Sequence, residues 1–354
     1  MSLVNPTITR GGLALTGFTV SADHHVAVVI PAYKVARHIA EVIARIPEEV
    51  WRIYVVDDHC PQGSGDHVEA NCVDPRIVVL RHTENQGVGG AVMTGYEAAL
   101  KDGADVIVKI DGDGQMDPVL INRFIAPILS GKADYTKGNR FFDLDTIHAM
   151  PKLRLIGNAL LSFINKVSSG YWDIFDPANG YTAIHANVAR RLALHKISKR
   201  YFFESDMLFR LSLLRAVVFD VPMDARYGTE TSNLSVRKVA PEFLWKHVRN
   251  FFKRILYNYY LHDMTVASFQ LPIGIALLVG GAIYGGYQWL AFAAVGAPAP
   301  TGTVVLPAMC ILVGTQLLLA FIDNDVNSVP RRPIQTQDPP SEIAATSPTQ
   351  GENH

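Results

Sequence analysis

Four short apolar, β-branched runs open the chain: VAVVIPAY (26–33), RIYVVDD (52–58), RIVVLR (76–81) and VIVKID (106–111). Helical periodicity falls between them, over 36–46, 88–102 and 117–130. Strands that are apolar at consecutive positions are buried on both faces, and their alternation with helices predicts a mostly parallel α/β sheet covered on each side. Later strands are expected at ADYTKGNR (133–140), GYTAIH (180–185) and AVVFDVPM (216–223), with helical patterns at 151–168 and 204–215. In such sheets ligands bind beyond the carboxyl ends of the strands.

The pattern changes in the last third. Across 241–263, Leu244, Val248, Phe251, Phe252, Ile255, Leu256 and Tyr259 recur at helical spacing, with Lys246, Arg249 and Lys253 on another face. A basic, aromatic, amphipathic helix of this kind suits a membrane interface. From Met264 to Ile322 no residue is charged, and PAPTG (298–302) breaks the run. A spanning helix needs roughly 20 apolar residues, so the run predicts a transmembrane hairpin at about 266–292 and 303–322. Lys and Arg flank the hairpin on both sides and are missing from its loop, which places the sheet domain and both ends on the cytoplasmic side of an inner or plasma membrane. The expected layout is an N-terminal extension (1–22), a catalytic sheet domain (23–235), a juxtamembrane helix (236–263), the hairpin (264–325) and a Pro/Ser/Thr/Gln-rich disordered tail (326–354). Gly280, Gly281, Gly285 and Gly286 permit close helix packing within or between chains, which is compatible with a homo-oligomer.

Composition narrows the function. The 354 residues carry a net charge of −1, which gives no basic field for nucleic acid. Cys60, Cys72 and Cys310 form neither a metal spacing nor a disulfide framework. The first 25 residues show no apolar core of a signal peptide.

Carboxylates gather where strands end: Asp57 and Asp58 after the second, Asp111 and Asp113 after the fourth. Two carboxylates one residue apart repel each other and resist desolvation, and a divalent cation relieves both problems. Mg²⁺ or Mn²⁺ takes one or two carboxylates and fills its shell with substrate phosphate oxygens. Asp111, Asp113 and the following Gln115 are the candidate metal set, with Gly112 and Gly114 allowing close backbone approach. Asn85, Gly87 and Gly89 make a glycine-rich turn before a helix, a setting that favours anions. This turn is not a dinucleotide fingerprint, because Val92 stands where the third glycine belongs. Arg140 and Arg154 flank the segment 141–152, expected to be a mobile loop, and are suited to bidentate phosphate binding. Asp176, Glu204 and Asp206 are the remaining acidic candidates. Glu204 and Asp206 would also be favourable simply as first-turn helix carboxylates.

VVIPAY (28–33), VVDD (55–58), NQGVGGA (85–91) and DGDGQMD (111–117) stand in the order and approximate spacing of family 2 glycosyltransferases with the GT-A fold. KGNRF (137–141), DPANGYTAIH (176–185) and FFESDML (202–208) resemble its polyprenyl-phosphate branch, which includes dolichol-phosphate mannose synthase. The resemblance covers about 26–325. It implies a GT-A, Rossmann-like domain that transfers a sugar, with inversion, from a nucleotide sugar, most simply a UDP-sugar, to a membrane polyprenyl phosphate with the help of Mg²⁺ or Mn²⁺. It further implies that Pro31, Ala32, Tyr33, Asp57, Asp58, Asn85, Gly87, Gly89, Asp111 and Gly112 hold the nucleotide sugar. Arg140 and Arg154 would grip the lipid phosphate, and Asp113 with Asp176, Glu204 or Asp206 would face the reacting centre. His59-Cys60 stands where the family pattern has Gly-Ser. Two other readings remain: a processive polysaccharide synthase, for which no Q-x-x-R-W motif is present, and a non-catalytic scaffold that binds lipid phosphate.

Overall fold

The computed structural model describes residues 24–142, 152–224 and 236–337. Residues 143–151 of the expected loop at 141–152, the N-terminal extension and the tail from 338 lie outside the described residues. Seven strands form one sheet: β1 (Val26–Ala32), β2 (Arg52–Asp57), β3 (Ile77–Arg81), β4 (Val106–Lys109), β5 (Tyr135–Asn139), β6 (Thr182–His185) and β7 (Val218–Pro222). Their order is β3-β2-β1-β4-β6-β5-β7. Every pairing is parallel except those of β6 with β4 and β5, so one reversed strand sits inside a parallel sheet. Helices α1 (Ile39–Ala44), α2 (Ser64–Asn71), α3 (Val88–Lys101), α4 (Ile121–Leu129), α5 (Lys152–Ser169), α6 (Ala186–Arg191) and α7 (Phe203–Leu213) belong to this domain.

β1 shows why the sheet needs both layers. Val26, Val28 and Ile30 enter one core with Ile39, Val42, Ile43 and Phe124, while Ala27 and Val29 enter the other with Tyr96, Met207 and Leu208. The strand period of two sends neighbours to opposite faces, and each buried Val or Ile contributes roughly 1.5–3 kcal/mol. A Cβ on Gly95 would collide with the Val29 side chain, which fixes how closely α3 lies on the sheet.

α8 (Val236–Leu256) ends in a π-turn, Tyr257–His262. α9 (Val266–Val295) and α10 (Thr301–Asn327) form the hairpin; both are long and apolar enough to cross a membrane. Gly274, Gly281 and Gly314 let their backbones meet, and Gly285 packs on Pro307, whereas nothing lies against Gly280 or Gly286. The hairpin is joined to the domain by buried polar contacts: Asp325 accepts from Arg254 Nη1 at 2.6 Å, Tyr259 Oη at 2.7 Å and Trp172 Nε1 at 3.0 Å.

The expectation of a disordered tail from 326 is corrected in its first part. α10 runs on to Asn327, and residues 331–337 then return to the sheet domain. Asp134, fully buried just before β5, accepts N–H bonds from Ile334 at 2.9 Å and Gln335 at 2.8 Å. Gln335 Nε2 donates to the carbonyls of Ile128 and Ala133, and Ile334 enters the core. The polar composition of this stretch conceals one apolar residue and an amide that complete a buried acid's hydrogen bonding.

Candidate active site

The carboxyl ends of β1, β2, β4 and β5 and the entrance to β6 share one rim of the sheet, as the pairing directions require. Left-handed backbone follows three of these strands: Lys34 (φ 61°), His59 (φ 51°) and Gly114 (φ 77°). Non-glycine residues in that region are strained and cluster at functional sites. Tyr33 stands exposed on the rim after β1, with the Lys34 ammonium 5.3 Å from its ring centroid. Pro31 and Ala32 are strand residues below it.

Beyond β4 the chain turns through Asp111–Gln115. Asp113 and Gln115 are partly exposed, and the Gln115 N–H donates to Asp113 Oδ1 at 3.0 Å. Gly112 is buried against Ile30 and Val35. Asp111 Oδ1 lies 2.7 Å from Lys109 Nζ, which is itself 3.8 Å from Glu204 Oε1. A second buried lysine, Lys137 of β5, donates to the Asn179 carbonyl. Burial pulls its ammonium down to about 8, with Glu204 and Asp176 opposing the shift. For Lys109, burial works in the same direction, but Asp111 and Glu204 outweigh it and hold the ammonium above the ordinary lysine value. Burial raises the Glu204 carboxyl, against the two lysines.

Arg140 and Asp176 form one unit. Arg140 Nε donates to Asp176 Oδ2 at 2.7 Å and Nη2 to Oδ1 at 3.0 Å, and the carboxylate is buried. The two residues were expected in separate roles; the structure makes Asp176 the group that orients Arg140. Arg154 falls in the first turn of α5, where side chains lie outside the described residues.

Three other groups of candidates have partners within the protein itself. Asp57 and Asp58 serve the protein's own backbone: Asp57 accepts from Cys60 N at 2.7 Å and Gly65 N at 2.6 Å. Asp58 accepts from Gln86 N at 2.8 Å, Gly87 N at 2.7 Å and pairs with His82 Nδ1 at 2.7 Å. Asn85 likewise donates to the Asp58 carbonyl. Gly87 and Gly89 have no room for a Cβ because the Ser198–Lys199 backbone packs on them, so their smallness serves chain packing. Asp206 points away from Glu204, since two helical residues diverge by about 200°. It accepts from Ser198 N at 2.8 Å and from Arg210 Nε at 3.2 Å, and faces Asn250 of α8.

Among the described residues, no group of three or more His, Cys, Asp or Glu could hold a metal alone. The donors at Asp111–Gln115 are hard oxygens on a partly exposed turn. That set fits a cation whose remaining ligands arrive with a phosphate. Sequence reasoning passed over Lys109 and Lys137; Lys109 carries a signal, as a lysine ending the apolar run of β4, whereas Lys137 stands among the polar residues of β5 (YTKGN) and carries none. Asp220 was also missed. It is half-buried on β7 beside Asn139, and desolvation pushes its carboxyl to about 7.

Residues 27–193 match the family model described as Glycosyl transferase family 2. The undecaprenyl-phosphate mannosyltransferase of Micrococcus luteus is 30% identical over 202 residues, 56% of this chain and 82% of that protein. The UDP-N-acetylglucosamine–dolichyl-phosphate N-acetylglucosaminyltransferase of Methanococcus voltae is 29% identical over 224 residues, 58% of this chain and 87% of that one. Glucosyl-3-phosphoglycerate synthase from Mycobacterium tuberculosis, solved with Mn²⁺, UDP-glucose and phosphoglyceric acid, aligns with a TM-score of 0.50 at 17% identity, over 66% of this chain and 80% of its own. At that identity the likeness concerns the fold alone.

Proposed function

The chain belongs to glycosyl transferase family 2, and from that premise we propose that it transfers a sugar, with inversion, from a nucleotide sugar to a polyprenyl phosphate at a membrane. The observation that carries this reading is one rim that joins an acidic turn, Asp111–Gln115, to an oriented arginine, Arg140, in a chain whose last two helices can span a bilayer. Both the Micrococcus and Methanococcus relatives are named for sugar transfer to a polyprenyl-type phosphate. A UDP-sugar is the simplest donor.

Asp113, with Asp111 and Gln115 beside it, would hold Mg²⁺ or Mn²⁺. When bound, such a cation neutralises the charge that grows on a departing diphosphate. Tyr33 offers an exposed ring beside the nucleotide's expected place. Arg140, locked by Asp176, presents a fixed positive charge to the acceptor phosphate. A phosphate monoester, with its second pKa near ~6, is largely dianionic at neutral pH. Its oxygen therefore needs placing more than deprotonating, and Glu204 is not required as a base. Exposed Leu244, Trp245, Phe252 and Leu256 on α8 would lie in the headgroup layer, with the sheet domain on the cytoplasmic side.

Membranes bearing the protein, given polyprenyl phosphate and a panel of labelled nucleotide sugars, are expected to form a glycosyl phosphate lipid in a chelator-sensitive reaction. A polymeric product, or turnover that yields no lipid-linked monosaccharide with any sugar, overturns the proposal.

A further inference from the structure

Two stretches far apart in the chain, 137–140 at the end of β5 and 175–180 before β6, grip each other residue by residue. Lys137 Nζ donates to the Asn179 carbonyl. Gly138 leaves the space that the Asn179 amide fills, since a Cβ there would lie 2.8 Å from Asn179 Nδ2. Asn139 Nδ2 donates to Asp220 Oδ2 at 2.9 Å, and the same oxygen accepts the Phe175 N–H at 3.3 Å. Arg140 holds Asp176 through Nε and Nη2, and its backbone N–H reaches Asp176 Oδ2 at 3.3 Å. Asn179 Nδ2 donates to that oxygen as well, at 3.4 Å. Gly180 then abuts the other half of the site: a Cβ on it would stand 2.5 Å from Asp111 Oδ2.

Lys137 is the costly member of this clasp. It is fully buried, and among the described residues its ammonium makes no ion pair; Glu204 and Asp176 act on it from beyond bonding distance. A buried ammonium without a bonded counter-charge is unfavourable. Its one bond goes to a carbonyl of the segment that carries Asp176, and Asp176 aims Arg140.

We infer that Lys137 is a positioning residue for the acceptor phosphate: by holding Asn179 it fixes the seat of Asp176, and through Asp176 the reach of Arg140. The inference rests on the proposed function and adds to it a residue that touches no substrate. A guanidinium that binds phosphate by paired hydrogen bonds loses affinity when its direction is no longer fixed. The donor half of the site is fastened separately, by Lys109 Nζ on Asp111 Oδ1 at 2.7 Å, and does not depend on Lys137.

The test is calorimetric titration of the full-length protein in detergent micelles with farnesyl phosphate, a short polyprenyl phosphate, and separately with UDP and Mg²⁺. Arg140→Ala is expected to raise the Kd for farnesyl phosphate by about tenfold or more, and Lys137→Met by about tenfold, with the Kd for UDP within about twofold of wild type. Lys137→Gln keeps a donor for the carbonyl without the charge and is expected to fall between Lys137→Met and wild type. The double variant Lys137→Met/Arg140→Ala is expected to bind farnesyl phosphate within about twofold of Arg140→Ala, because a support has no effect once the supported group is gone. A lysine with a merely structural role would change the number of competent sites per chain and leave the Kd as it was. The inference is overturned, and the proposed function stands, if Arg140→Ala loses affinity while both Lys137 variants bind farnesyl phosphate as wild type does, if Lys137→Met weakens UDP as far as farnesyl phosphate, or if the two losses multiply in the double variant. If wild type does not bind farnesyl phosphate, or Arg140→Ala binds it as tightly as wild type, the acceptor reading falls and this inference with it.

Discussion

Two pairs of aspartates end β2 and β4, the two strands that flank β1, and meet different surroundings. Asp57 and Asp58, after β2, are 7% and 2% exposed, and their oxygens receive backbone N–H groups from 60, 65, 86 and 87. Asp111 and Asp113, after β4, remain partly exposed on a turn that folds outward over Gly114. The first pair shapes loops: Asp57 ties the start of α2, and Asp58 draws the 85–87 turn down beside His82. The second pair is shaped by its surroundings and offered to solvent. An acidic doublet at a strand end thus carries no fixed meaning. What decides is whether nearby backbone N–H groups reach it before a ligand can.

The contrast can be tested by breaking each pair in turn. Asp113→Ala should reduce sugar transfer by on the order of 10³-fold, about 4 kcal/mol in the barrier, with an unchanged thermal melt by circular dichroism. Adding EDTA to wild type should reproduce that loss. Asp58→Ala should do the reverse: it strands two half-buried N–H donors and His82, and should lower unfolding stability by about 2 kcal/mol. Its activity per folded molecule, measured after separating aggregate, should stay within a few-fold of wild type. A loss of activity in well-folded Asp58→Ala would mean that this residue also meets the nucleotide. Asp57→Asn keeps one acceptor oxygen and should be milder, about 1–2 kcal/mol in a denaturant titration. Glu69→Gln, which loosens the exposed pair with Arg81 on the outer side of α2 and β3, should leave both stability and transfer unchanged.

Much of this architecture is legible in the order of residues. The seven strands fall where apolar runs predict them, because a strand buried on both faces cannot hide its composition. The hairpin is equally plain for the same reason. α2 was not foreseen, since SGDHVEAN has one strong apolar residue, Val68; the helix stands because Asp57 captures Gly65 N–H and Gly63 takes a left-handed turn (φ 59°). Within the site, the placement of Asp57, Asp58, Asp111 and Asp113 at one rim followed from strand ends alone. The pairings did not. Asp176 lies 36 residues from Arg140 along the chain, and Glu204 reaches Lys109 from a helix in the second half of the domain. A charge relay across a sheet is set by topology, and local pattern carries no trace of it.

The docking of 331–337 under the sheet has a mechanical consequence. Asp134 precedes β5, so it sits at the edge opposite the acidic rim, and the chain that leaves the domain through α8 comes back to be fastened there after the two long apolar helices. A domain hung from its anchor by a single strap can swivel; one buckled at both ends of the anchor cannot. Deleting residues 329–354 should release that swivel, seen as broader spin-label distances between α3 and α9 by pulsed EPR. Fastened in this way, the acidic rim would keep one bearing toward the two long apolar helices.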